Sequence, residues 1–173
     1  CHLDPAAELP VVALALDATL RVRSSEATRE IDIRDFPTFY MTPDLEPNEI
    51  LTEITFPVWV AGAGYAFEEF ARRHGDFAMV SVAVNLKVDS GRIVYARIAI
   101  GGVGAVPQRA ESLENGLTGQ RPDEAVLAEA MNSLDDVECI GDIHASAEYR
   151  RHLLTSLTRR AITRAALQAI GES

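Results

Sequence analysis

From Ala78 to Val88 the side chains alternate strictly. Val80, Val82, Val84, Leu86 and Val88 fall on one side of an extended chain, and Ser81, Ala83, Asn85 and Lys87 on the other. That period of two predicts a strand with one buried face in an antiparallel sheet. Asp89-Ser90-Gly91 is a tight turn into a partner strand, Arg92–Gly101. Two further strand-like runs, Glu49–Phe56 and Tyr65–Ala71, complete an expected antiparallel four-stranded sheet. Upstream, Thr19–Arg23 and Glu30–Ile33 turn Leu20, Val22, Ile31 and Ile33 toward one face and predict two short strands.

Helical spacing takes over after the sheet. A short helix is expected over Gln108–Asn115, stopped by Gly116. Pro122 opens a second, with Asp123 and Glu124 at its positive end and Val126, Leu127, Ala130, Met131 and Leu134 inward. The third, Ser146 to Ile170, sets Tyr149, Leu153, Leu157 and Ala161 on one stripe, with its arginines mainly elsewhere. About three helices on one face of a four-stranded sheet make an α+β layered domain. At the start of the chain, Asp4-Pro5 predicts a helix entry and Pro10 an end or kink; Val11–Leu16 fits helix or strand equally. Residues 34–48 hold three prolines and read as a connector with at most one helical turn, so the domain boundary is placed there.

Composition narrows the function classes. A net charge of -10 disfavours nucleic acid, which needs clustered Lys and Arg to neutralise phosphates. Apolar residues make up 47% of the chain, enough for a core, yet no apolar run approaches the ~18 residues of a membrane span. The two cysteines, Cys1 and Cys139, lack metal-site spacing, and Cys139 reads as a buried thiol. His2, His74, His144 and His152 show no ligand spacing, and no nucleophile motif such as GxSxG is present. The default location is cytoplasmic.

Two segments invite a binding role. Gly101-Gly102-Val103-Gly104 follows a strand, but its spacing matches neither GxGxxG nor a P-loop, so it reads as a strand exit where backbone packs closely. Arg72-Arg73-His74-Gly75-Asp76-Phe77 places two cations, a histidine, a carboxylate and an aromatic between strands. That run suits either a ligand-facing loop or a salt-bridged hairpin.

Taken together, several stretches resemble the FAD-binding medium subunit of the molybdenum hydroxylases, the group of carbon monoxide dehydrogenase and xanthine dehydrogenase. They are His2-Leu3-Asp4-Pro5-Ala6-Ala7-Glu8-Leu9-Pro10, Glu49–Ile54, Tyr65-Ala66-Phe67 through Arg73-His74-Gly75-Asp76-Phe77-Ala78, Gly101-Gly102-Val103 with Pro107-Gln108-Arg109-Ala110, and Ser146–Arg151. The resemblance implies that residues 1–42 are the tail of an FAD-binding domain and residues 43–173 the family's C-terminal α+β domain. It also implies that sequence carrying the main nucleotide cradle precedes Cys1.

By the same resemblance Asp4, Glu8, Leu51, Asp76 and Phe77 are the cofactor-binding residues, with Phe77 against the isoalloxazine ring. The residue-level alternatives stay open: Glu8 as a carboxylate on a helix dipole, Leu51 as core, Phe77 as an ordinary hairpin aromatic. Many relatives carry a lysine where this chain has Glu68 and Glu69; Arg72 and Arg73 are the candidate replacements. The implied function is an oxidoreductase subunit, passing electrons from [2Fe-2S] clusters of a small subunit through FAD to an acceptor. The molybdopterin sits on a large subunit, and no catalytic or metal-binding residue is expected on this chain. The competing readings are a non-catalytic scaffold or docking domain that does not hold FAD by itself, and a stand-alone domain binding a small ligand.

Overall fold

The computed structural model describes residues 2–58, 60–73 and 75–171. Its centre is the antiparallel pair β7 (Val80–Asp89) and β8 (Arg92–Gly101), flanked by β6 (Ala63–Phe70) and the short β9 (Gln108–Arg109) in the order β6-β7-β8-β9. Val82 lies opposite Ile100 and Val84 opposite Ile98, so the alternation read from sequence meets its mirror image across the ladder. This face is covered by α2 (Glu111–Leu117), α3 (Glu124–Ala130), a 3₁₀ turn (Met131–Asp136) and α4 (Ala147–Ala169). Asp123 caps α3 by accepting from the Val126 N–H at 3.0 Å, and Ser146 caps α4 by accepting from the Tyr149 N–H at 3.1 Å.

The α+β class with its four-stranded antiparallel sheet holds, with three adjustments. Residues 50–55 form β5 (Ile50–Thr55), which pairs with β1 (Thr19–Arg23) rather than with the larger sheet. Together with β2 (Thr28–Asp32) they make a separate three-stranded sheet, β2-β1-β5. The fourth strand of the larger sheet is instead Gln108–Arg109, expected as helix; α2 starts after it and runs through Gly116. The proline-rich connector forms a small hairpin, β3 (Pro37–Phe39) and β4 (Thr42–Pro43), with no helical turn. Segments of two to six residues carry too few alternations to declare their partners, which explains all three.

The second face of the large sheet is also buried. Helix α1 (Glu8–Ala15) packs across β7 and β8, and Ala83 and Ala99 join Val11, Leu14, Leu20 and Val22 in a second core. Ser81, Ala83 and Asn85, read as an open face, are therefore inside because they are small enough for a helix to lie on them. Pro10 does not stop α1. It occupies the first turn, where a missing N–H costs nothing, and Val11–Ala15 continue as helix. On α4 the buried set is Arg150, Leu154, Leu157, Thr158, Ala161, Ile162, Ala165 and Ala166, so the expected stripe is rotated: Tyr149 is exposed and Arg150 is buried.

Close approach is enforced at Gly64, where an added Cβ would sit 1.8 Å from the Ala165 carbonyl oxygen of α4. Gly116 meets nothing within 4 Å. Gly64→Ala should lower unfolding free energy by about 2 kcal/mol or more through overpacking, whereas Gly116→Ala should raise it by about 0.5–1 kcal/mol through helix propensity. Urea unfolding of the two variants checks the opposite signs.

Candidate functional site

The loop from β6 to β7 is tied at its base, where the Met79 N–H donates to the Phe70 carbonyl at 2.8 Å. Inside it the Asp76 N–H donates to the Arg73 carbonyl at 3.1 Å, a turn that Gly75 permits with φ of 88°. His74 lies outside the described residues. This short tether leaves Phe77 with 70% of its surface exposed, beyond the reach of either core. An aromatic so exposed is free to pack against a group seated beside the loop.

Phe77 and Asp76 line a cavity of about 570 Å³. The N-terminal turn Asp4–Ala6 lines the same cavity, and it approaches because β8 ends in glycines. The Gly102 N–H donates to the Pro5 carbonyl at 2.8 Å, and Gly102 itself has φ of 78°. Asp4 shapes the turn by accepting the Ala6 N–H at 2.9 Å. Tyr40, from the β3–β4 hairpin, stands at the same cavity, as do Arg72, Asp142, His144 and Arg150. Its lining brings an exposed aromatic together with side chains of both charge signs.

Residues 65–165 match the CO dehydrogenase flavoprotein C-terminal domain, and residues 1–59 match the FAD binding domain in molybdopterin dehydrogenase. The chain belongs to the CO dehydrogenase flavoprotein family. It is 40% identical to the nicotine 6-hydroxylase medium subunit of Paenarthrobacter nicotinovorans, over 95% of this chain and 58% of that one. It is 32% identical to the carbon monoxide dehydrogenase medium chain of Afipia carboxidovorans, over 96% and 58%. Among solved structures, quinoline 2-oxidoreductase from Pseudomonas putida 86 superposes with a TM-score of 0.90 at 35% identity, covering 98% of this chain and 59% of that one. Reconstituted CO dehydrogenase from Oligotropha carboxidovorans gives 0.92 at 31%, covering 96% and 59%. The chain thus spans under two thirds of the length of these relatives.

Within this family frame, three of the five residues singled out from sequence, Asp4, Asp76 and Phe77, meet at the one cavity. Glu8 lies instead on the exposed first turn of α1, and Leu51 packs from β5 against the second core. Arg72 reaches the cavity wall and Arg73 does not; neither they nor Asp76 form ion pairs among the described residues. Glu68 of β6 faces α4. It accepts hydrogen bonds from Arg160 Nε and Arg164 Nη1, both at 2.6 Å. Tyr40, Met79, Asp142, His144 and Arg150 were not singled out as site residues, because connector, strand-start and helix patterns contain nothing that points into a cavity.

Burial alone would push the Glu68 carboxyl up, but Arg164 and Arg160 outweigh it and hold it below its ordinary value of 4.5. A carboxylate depressed in the fold stabilises above its unfolded-state pKa, and that contribution is lost as pH falls through the folded value. Glu68→Gln should therefore lower stability at pH 7 and flatten the decline below about pH 5. Denaturation midpoints at pH 7 and pH 4 read both effects.

Proposed function

We propose that this chain is the C-terminal part of the flavoprotein subunit of a molybdenum hydroxylase-type dehydrogenase. In this reading the cavity between Asp4–Ala6 and Phe77 flanks the isoalloxazine of FAD. The observation that carries it is the exposed Phe77 ring sharing a cavity of about 570 Å³ with a turn that belongs to the FAD-domain match at residues 1–59. FAD, when bound, supplies the redox chemistry: electrons arrive from [2Fe-2S] clusters of a small partner subunit, fed by a molybdopterin-bearing large subunit, and leave to an acceptor.

The residues have separable tasks. Phe77 would pack against one side of a bound planar ring and keep water from that side. Asp4 fixes the backbone of the Asp4–Ala6 turn through its bond to the Ala6 N–H. Gly75 and Gly102, both at positive φ, hold the two turns in shapes that other residues adopt only under strain. Arg72 contributes positive charge at the rim, where it would favour negative charge on a bound group by Coulomb attraction. Substrate oxidation lies on other subunits in this reading, so no residue here selects the substrate.

Phe77→Ala in the assembled, FAD-loaded enzyme should slow flavin reduction by the clusters by about tenfold, as a loosened ring geometry does. Turnover of the molybdenum site with artificial acceptors should stay unchanged. Stopped-flow absorbance at the flavin bands measures the first and steady-state assays the second; identical flavin kinetics in Phe77→Ala would remove the proposed role.

A further inference from the structure

Arg150 is the side chain that fastens the cavity together. It is the fourth residue of α4, and its side chain is only 7% exposed. Nη1 donates to the Met79 carbonyl at 2.7 Å and also to the Gly102 carbonyl; Nη2 donates to Asp142 Oδ2 at 2.6 Å. The other oxygen of Asp142 accepts the His144 and Ala145 N–H groups at 2.8 and 3.0 Å. One guanidinium therefore ties the start of β7, the end of β8, the 142–145 turn and α4.

Each tie leads to a cavity wall. Met79 lies two residues beyond Phe77, and its N–H closes the base of the Phe77 loop on Phe70. Gly102 passes the constraint on, because its N–H holds the Pro5 carbonyl of the Asp4–Ala6 turn. The two walls are thus linked through a single buried cation. An apolar residue would fill the same space without desolvating a charge, and here Nε remains buried without a hydrogen-bond partner. What the arginine adds is geometry: a rigid planar fork serving several acceptors at fixed angles, which a lysine ammonium does not reproduce.

We propose that Arg150 is a positioning residue of the flavin site, setting the separation between the Phe77 turn and the Asp4–Ala6 turn and hence the width of the slot that takes the planar ring. This rests on the flavin reading of the cavity. Arg160 and Arg164 of α4 are paired with Glu68, whereas Arg150, from the first turn of the same helix, reaches the cavity.

The test compares Arg150→Lys, Asp142→Asn and Phe77→Ala in the complete FAD-loaded subunit, reading FAD release rate, flavin absorption bands and thermal unfolding of the apo-subunit. Arg150→Lys is expected to release FAD about tenfold faster, the size of losing a charged hydrogen-bond set, and to shift the flavin bands. Asp142→Asn, which keeps both carbonyl contacts, is expected to move both readouts the same way by less. Wild-type bands and release in a folded Arg150→Lys subunit overturn the proposal, even if its melting temperature drops; where that variant does not fold, the same result in Asp142→Asn overturns it. If Phe77→Ala perturbs the flavin while Arg150→Lys does not, this inference alone fails. If neither perturbs it, the flavin reading of the cavity fails with it.

Discussion

The rest of the structure depends on how closely residues 4–11 can lie on the end of β8. At Gly101 an added Cβ would meet the Val11 side chain at 2.4 Å and Ser81 Oγ at 2.8 Å; at Gly102 it would meet the Met79 carbonyl oxygen at 2.7 Å. Bare backbone at these two positions lets α1 sink onto Ala83 and Ala99, and brings the Pro5 carbonyl within 2.8 Å of the Gly102 N–H. That contact holds the Asp4–Ala6 turn at the cavity that Phe77 also lines. Any side chain there would lift the helix, open the second core and separate the walls of the cavity.

A charge network fixes the other end of the same helix. Asp17, just past α1, accepts from Arg97 Nε of β8 at 2.7 Å and from Arg109 Nη1 of β9 at 2.8 Å. Arg109 is also bound bidentately by Glu114 of α2, both contacts at 2.6 Å. Burial works against the Arg109 charge, and Glu114 and Asp17 outweigh it. Breaking one member would strand a buried charge, so the network serves register more than net stability. Glycine contact at one end and ion pairs at the other determine how the residue 1–59 segment seats on the larger sheet.

Much of this was visible beforehand, and the gaps have a common cause. β7 and α4 announced themselves because long runs repeat one period, β8 because a tight turn joins it to β7, and β1, though short, because both its apolar residues share a face. The glycines after β8 were read as a site of close backbone packing, which Gly101 and Gly102 bear out. What escaped were partners and the shortest elements: β5 crossing to β1, α1 covering the Ser81–Asn85 face, β9 in place of an expected helix start, and the β3–β4 hairpin in place of a connector. Local pattern reports which face of a segment is apolar, but not which segment arrives to cover it. Arg150 escaped for the same reason, since a charged residue at helical spacing reads as solvent-facing until its acceptors, Met79 and Gly102, are brought to it by the fold.

These constraints converge on one cavity whose walls come from two matched families of sequence, residues 1–59 and 65–165, joined by backbone contacts and one buried arginine. On the proposed flavin reading the chain supplies a wall for a planar ring, and it spans less than two thirds of the relatives it matches. The most direct measurement is a structure of the complete subunit with FAD bound. The account predicts the isoalloxazine in van der Waals contact, within about 4 Å, with the Phe77 ring and the Asp4–Ala6 backbone. An isoalloxazine seated elsewhere, with solvent filling the space between Phe77 and Pro5, would contradict it.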